Sequence, residues 1–297
     1  MELQQATRKR AKIRALLQGS SGSGKTYSSL LLAYGLCNDY SKIAIIDSEN
    51  HSADLYSHLG SYNTLGIEAP FTPEKYIEAI KLCEKSGIEV LIIDSLSHEW
   101  DGAGGILDIH GSMPGNSFTN WNKVGKIHDA FVQAILQSPC HIIATVRSKQ
   151  DYVLTDKGGK QVPEKVGLKA IQRDGVDYEF TLVFELDIKQ HATATKDRTS
   201  LFIDKPAVKL SMKEGKILSE WCNQGYDSFE ESKQFSEKIK SINSVPELRT
   251  LYLNNPKHKN SHNDEFIAQK EQIEIGRAKE MYNNLNTQKN GTNLNII

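Results

Sequence analysis

Gly19-Ser20-Ser21-Gly22-Ser23-Gly24-Lys25-Thr26 is the stretch that decides the fold. It fits G-x-x-x-x-G-K-[ST], a loop whose backbone amides wrap a polyphosphate, and the pattern has force only between a strand and a helix. Both flanks qualify. Ile13-Arg14-Ala15-Leu16-Leu17-Gln18 reads as a short buried strand, and 27–37 reads as a helix with Leu30, Leu31, Ala33 and Leu36 available to pack on a sheet. That order aims a row of N–H groups and a helix N-terminus at an anion. Gly19, Gly22 and Gly24 let the backbone curl close to the phosphates without a Cβ in the way. Lys25 supplies a point charge to the β- and γ-phosphates, and the Thr26 hydroxyl is a hard oxygen ligand for Mg²⁺. Ser20, Ser21, Ser23 and Tyr27 complete the expected nucleotide contacts. The reading is a nucleoside triphosphate site.

Bulk properties leave room for that reading and close off others. The 297 residues, 38% of them hydrophobic, suffice for one large α/β domain with an appendage. A formal net charge of -1 gives no global attraction to nucleic acid, so any such surface has to be local. Cys37, Cys83, Cys140 and Cys222 share no C-x-x-C spacing. They read as small buried hydrophobes of a reducing compartment rather than a disulfide frame or a zinc site. His51, His98 and His110 read as polar loop residues, with no second metal ligand at suitable spacing. No apolar run approaches the roughly 20 residues of a membrane span, and the polar stretch 1–12 is no signal-peptide pattern. The expectation is a soluble chain with no membrane partner.

Outward from the loop, strands and helices alternate. Lys42-Ile43-Ala44-Ile45-Ile46-Asp47 reads as a buried strand ending on a carboxylate, with Ser48-Glu49-Asn50 directly after it. Residues 73–85 read as a helix, with Thr72 as N-cap, Pro73 in the first position and Tyr76, Ile77, Ile80 and Cys83 on one face. Glu89-Val90-Leu91-Ile92-Ile93-Asp94-Ser95 then runs apolar residues into an aspartate. One βαβ unit after the phosphate loop, this is the Walker B pattern, which delivers Asp94 to the Mg²⁺ shell beside Thr26. A glycine-rich loop, an amphipathic helix over 121–137 and the strand His141-Ile142-Ile143-Ala144-Thr145-Val146, ending at Arg147, follow. Alternation on this scale predicts an α/β fold: a mostly parallel central sheet flanked by helices, with ligand at the strand C-terminal ends. Thr26, Glu49, Asp94 and Arg147 all fall at such ends.

Between 147 and 173 the character changes. Arg147, Lys149, Lys157, Lys160, Lys165, Lys169 and Arg173 outnumber Asp151, Asp156 and Glu164, and Tyr152 and Gly158-Gly159 lie among them. Such a loop suits single-stranded nucleic acid, although a solvated hairpin has the same composition. Strands are expected at 178–187 and 198–203, with Lys196 and Arg198 at the turn between them. Beyond about Gly225 the chain becomes helical and charged, with helices at 246–253 and 264–282. The expected organisation is a core over 1–224, a helical region over 225–282 and an asparagine-rich, disordered tail over 283–297.

The phosphate loop, Ile45-Ile46-Asp47-Ser48-Glu49-Asn50 with Ala53-Asp54 after it, and Leu91-Ile92-Ile93-Asp94-Ser95 together resemble the RecA-like P-loop ATPase core, over roughly residues 10–205. The resemblance implies ATP and Mg²⁺ as ligands, with Lys25 and Asp94 in the catalytic set and Glu49 as the base that activates the attacking water. Lys196-x-Arg198 is similar to the K-x-R element that hexameric RecA-like helicases insert into a neighbour's ATP site. The stretch 95–100 and Arg147-Ser148-Lys149 look most like phage-type RecA-superfamily ATPases, AAA-family ATP-binding proteins associated with single-strand annealing and recombination. That likeness implies single-stranded DNA as partner and a homo-oligomer, ring or filament. It also implies a single-strand DNA-binding or other phage protein as a further partner, in the cytoplasm of a bacterial or phage-infected cell. Two other readings use the same residues: a small-molecule kinase with Asp47 and Glu49 on a hydroxyl substrate, and a regulatory NTPase that works through a protein bound to its C-terminal helices.

Overall fold

The structure is a computed structural model that describes residues 11–156, 161–255, 258 and 261–291. Eight strands form the central sheet: β1 (Arg14–Gly19), β2 (Ile43–Asp47), β3 (Asn63–Gly66), β4 (Val90–Asp94), β5 (His141–Asp156), β6 (Gln161–Ala170), β7 (Leu182–Leu186) and β8 (Ala192–Asp197). Their order is β3-β2-β4-β5-β1-β7-β8, with β6 hydrogen-bonded to β5 alone. The pairings from β3 through β7 along this order are parallel, while β8 on β7 and β6 on β5 are antiparallel. The helices are α1 (Lys25–Cys37), α2 (Pro73–Lys85), α3 (Leu96–Asp101), α4 (Ile106–Ser112), α5 (Ser117–Gln137), α6 (Met212–Ser241), α7 (Val245–Asn254) and α8 (Asn263–Gly291). This is the α/β architecture that the alternating pattern predicts.

Strand periodicity of two explains the layering. Ala15, Leu17, Ile43 and Ile45 face a core completed by Leu30, Ala33 and Leu36 of α1 and by Leu218 and Cys222 of α6. The residues between them, Leu16, Ala44 and Ile46, face a second core with Tyr76 and Ile80 of α2 and Phe131 and Ile135 of α5. Helices on both faces make the central strands apolar along their whole length.

The chain divides into two compact units, 10–223 and 224 onward. The second packs Phe235, Ile239, Leu248, Leu251, Phe266 and Ile273 into its own small core, with the His258 ring stacked 4.2 Å from Phe235.

Several local expectations change. β3 is a short, largely exposed edge strand with only Leu65 apolar, so it gives no strand signal. β5 does not end at Arg147 but runs on and returns as β6, so the basic stretch is a hairpin. The 198–203 stretch is not a strand. The Asp197 carboxylate accepts hydrogen bonds from the amides of Thr199 (2.6 Å), Phe202 (2.7 Å) and Ile203 (3.2 Å), which curls the chain into a turn just after β8. Residues 176–179 form a 3₁₀ turn, so β7 starts only at Leu182. Helix α8 continues to Gly291, through part of the tail expected to be disordered, and 292–297 lie outside the described residues.

Helix α1 is held to α6 by two glycines. A Cβ on Gly35 would lie 2.2 Å from the Met212 carbonyl oxygen, and one on Gly215 would lie 2.3 Å from that of Leu32. Gly215→Ala is therefore expected to cost about 1–3 kcal/mol by overpacking, read as a lower chemical-denaturation midpoint. A second expectation concerns pH. His141 Nδ1 accepts a 3.1 Å hydrogen bond from the Ile13 amide, and burial, with Lys12 and Arg14 nearby, drives its pKa down to about 3 from 6.5. The unfolded chain takes up this proton near pH 6.5 and the folded chain does not, so stability is complete above 6.5 and falls as pH drops toward 3. His141→Asn should flatten that decline in denaturation curves recorded from pH 7 to 4.

Candidate nucleotide site

Sheet register builds the site. Gly19 pairs with Arg147 of β5 on one side and with Leu186 of β7 on the other, while Asp47 pairs with Asp94. These residues therefore leave the sheet along one edge, and the chain turns above that edge. The loop after β1 carries Gly22 at φ 80° and Gly24 at φ 81°, left-handed values that favour glycine. A cavity of about 550 Å³ opens there, lined by Ser21, Gly22, Gly24, Lys25, Thr26 and Tyr27 from the loop and the first turn of α1. Glu49, Asp94 and Arg147 face it from the strand ends, with Ser52, Tyr56 and Gln190 around them.

Two cations, Lys25 and Arg147, and two carboxylates, Glu49 and Asp94, line the cavity. Lys25 Nζ donates to the carbonyls of Gly19 (3.0 Å) and Ser20 (2.9 Å). Burial lowers its pKa, while Asp94 and Glu49 pull the other way. Asp94 is 3% exposed and accepts hydrogen bonds from the hydroxyls of Thr26 and Thr145. Burial raises its pKa against those two hydrogen bonds. Glu49 binds Arg147 through both oxygens, with Nε to Oε1 at 2.8 Å and Nη2 to Oε2, and Ser95 Oγ donates to Oε1 at 3.0 Å. Burial resists ionisation of Glu49, yet Arg147 outweighs it and the pKa lies below the ordinary value. Arg147 is correspondingly raised by the same contact.

A cluster of loop residues holds Glu49 in place. Asp47 Oδ1 accepts the Glu49 amide (2.6 Å) and Oδ2 the Ala53 amide (2.8 Å), which fixes the turn that carries Glu49. Ser48 Oγ lies 3.0 Å from His98 Nδ1 and accepts the Ser95 amide at 2.9 Å, tying this turn to the segment that follows Asp94.

Of the residues expected to bind nucleotide, Gly19 and Ser20 act through the carbonyls that hold Lys25. Ser23 is fully buried, and its hydroxyl has no hydrogen-bond partner. Lys196 and Arg198 do not line the cavity. Both donate instead to backbone carbonyls of the 176–179 turn: Lys196 to Asp177 (2.9 Å) and Tyr178, Arg198 to Tyr178 (3.2 Å). The expected DNA-contacting set divides. Arg147 is withdrawn from it, because its guanidinium is committed to Glu49 inside the cavity. Lys149 is exposed, and Lys169 is exposed but paired with Asp174 at 2.9 Å. Lys165 lies on β6 in register with Tyr152, and Lys157 and Lys160 lie outside the described residues. Sequence reasoning gave no role in the site to Tyr56 and Gln190, which reach it only through the turns above the sheet.

The donor set suits Mg²⁺, a hard cation that takes one or two protein oxygens plus phosphates and water rather than a full protein cage. Thr26 and Asp94 would supply those oxygens. Among the described residues, no cluster of three or more His, Cys, Asp or Glu forms an alternative metal site. A glycine loop between a central parallel strand and a helix, facing a strand-end aspartate, defines a P-loop nucleotide-binding protein. Residues 11–215 match the family described as an AAA domain, and the chain belongs to that family of P-loop ATPases. No curated protein matches it. No helix among the described residues is long and apolar enough to cross a membrane.

Lys25→Ala is expected to abolish nucleotide binding in a fluorescent-nucleotide titration. Glu49→Gln is expected to keep binding and lower phosphate release by about 10²-fold or more, the usual worth of a positioned base. Normal hydrolysis by that variant would remove Glu49 from the catalytic role.

Proposed function

We propose that the chain is an ATP-hydrolysing, RecA-type protein that acts on single-stranded DNA in phage-type recombination, annealing or replication. In this reading it works as a homo-oligomer in the cytoplasm. The observation that carries it is the Glu49–Arg147 pair. It links the candidate base to the point where β5 leaves the sheet and continues into the basic hairpin.

Phosphoryl transfer to water passes through a loose transition state, so catalysis is mainly positioning and electrostatics. Lys25, the loop amides and a cation held by Thr26 and Asp94 would anchor the triphosphate. Glu49 would orient the water and accept its proton once Arg147 releases it. A ligand on the hairpin that shifts Arg147 would thereby change the strength of the base. Lys149 and Lys169, both exposed, stand opposite each other across the hairpin root, where a polyanion could reach them.

The K-x-R residues support action between subunits. They lie away from their own cavity, beside Tyr178, which is 71% exposed. Leu55 and Ile188 are exposed on segments next to cavity residues Tyr56 and Gln190, and large exposed apolar side chains suit an interface. A second reading, a regulatory NTPase with a protein partner, draws support from an apolar groove of about 420 Å³ in the second unit, between Leu248, Tyr252, Phe266 and Ile267. Against the kinase reading, both Asp47 oxygens already accept backbone amides and both Glu49 oxygens accept from Arg147.

The test is ATPase rate per subunit against protein concentration, with and without single-stranded DNA, in low salt. The proposal expects the rate to climb with concentration and to rise with DNA. Mixing inactive Lys25→Ala with weakly active Arg198→Ala should restore activity, since one supplies the finger and the other the site. Arginine fingers contribute about 10³–10⁵ in rate, so restoration would be easy to see. A flat, DNA-insensitive rate would contradict the DNA role and turn attention to a partner on the second unit. Failure of the mixture would contradict action in trans.

A further inference from the structure

We infer that Gln190, in the turn between β7 and β8, is a phosphate-contacting residue of the nucleotide site. The inference rests on the nucleotide-binding reading of the cavity and deepens it. β1 and β7 pair in parallel with Gly19 opposite Leu186, so the phosphate loop and the β7–β8 turn rise from the sheet side by side. The approach is close. A Cβ on Gly24 would meet Gln190 Cγ at 3.0 Å, Cδ at 3.2 Å and Nε2 at 3.5 Å. The carboxamide thus lies along the loop glycine whose backbone cradles phosphate, and it lines the same cavity as Lys25 and Thr26.

The turn is built to hold it there. Asp187 Oδ1 accepts the amides of Lys189 (2.8 Å) and His191 (2.9 Å). The Gln190 amide donates to the Asp187 carbonyl at 3.0 Å, and the Asp187 amide to that of His191 at 2.9 Å. The result is φ +67° at Gln190, a left-handed conformation that glycine adopts freely and a glutamine adopts at a cost. Strained residues of this kind gather at ligand clamps, where the surroundings over-determine them. A primary amide brings two N–H donors and suits anionic oxygens, and it adds no charge to a cavity that already holds Lys25 and Arg147.

The test compares wild type with Gln190→Ala, Gln190→Glu and Gln190→Gly, measuring dissociation constants for ATP and for inorganic tripolyphosphate with Mg²⁺. Gln190→Glu sets a carboxylate against the phosphates and should weaken both ligands by about tenfold or more, with Gln190→Ala showing a smaller loss for both. KM for ATP should rise with kcat little changed. Gln190→Gly relieves the turn, so its thermal midpoint without nucleotide should equal or exceed that of wild type while its binding weakens. Unchanged affinity in all three variants would overturn the assignment. Loss for ATP with tripolyphosphate unaffected would also overturn it, because the contact would then be to the nucleoside. A midpoint that falls with Gln190→Gly would make the side chain a structural strut. Wild-type protein that binds neither ligand would fell the nucleotide reading itself, whereas wild-type binding abolished by Lys25→Ala isolates the question to Gln190.

Discussion

Strand β1 is hydrogen-bonded in parallel to β5 on one side and β7 on the other, and these pairings bring Gly19 level with Arg147 and Leu186. Everything above the sheet edge depends on that register. Gly19 has no room for a side chain: a Cβ would lie 2.8 Å from the Leu186 carbonyl oxygen and 2.6 Å from Ser23 Oγ. Backbone therefore passes close to backbone, the loop curls over the end of β1, and α1 starts with its N-terminus facing the cavity. A slip of one residue would send each strand's apolar set to the opposite face, so both cores enforce the alignment that the site requires.

The electrostatics of the cavity follow from the same geometry. Asp94 is carried in on a fully buried strand, where burial pushes its pKa up and two threonine hydroxyls hold its oxygens. Lys25 is drawn the other way by burial. Both shifts work against the charged forms, and a magnesium triphosphate would favour those forms on each side at once. Glu49 differs, because Arg147 keeps it ionised and occupies both its oxygens. A carboxylate held in that way is a poor proton acceptor. If Glu49 is the base, as proposed, hydrolysis needs Arg147 to yield.

The parts legible in the sequence were those where chemistry dictates residue type at fixed spacing. The glycines, lysine and threonine of the loop, the apolar run into Asp94 and the helix begun by Pro73 belong to that class, as does the two-faced sheet that continuous apolar strands require. Contacts made by folding were not legible. The alternating pattern places Arg147 at a strand end with Glu49 and Asp94, but by composition it also reads as the first cation of a basic stretch. Only the folded structure shows its guanidinium committed to Glu49. The strand expected at 198–203 looks apolar enough, yet Asp197 collects three following amides and curls it. Tyr56 and Gln190 carry no motif at all, because a 3₁₀ segment and a strained turn bring them to the cavity.

The most direct measurement of the central claim is a crystal structure of the protein with Mg²⁺ and a non-hydrolysable ATP analogue. The account predicts the triphosphate along 19–26, Lys25 Nζ turned from the Gly19 and Ser20 carbonyls to the β- and γ-phosphates, and the Thr26 hydroxyl on the metal at about 2.0–2.1 Å. A nucleotide bound elsewhere, or a metal held without Thr26 and Asp94, would contradict it.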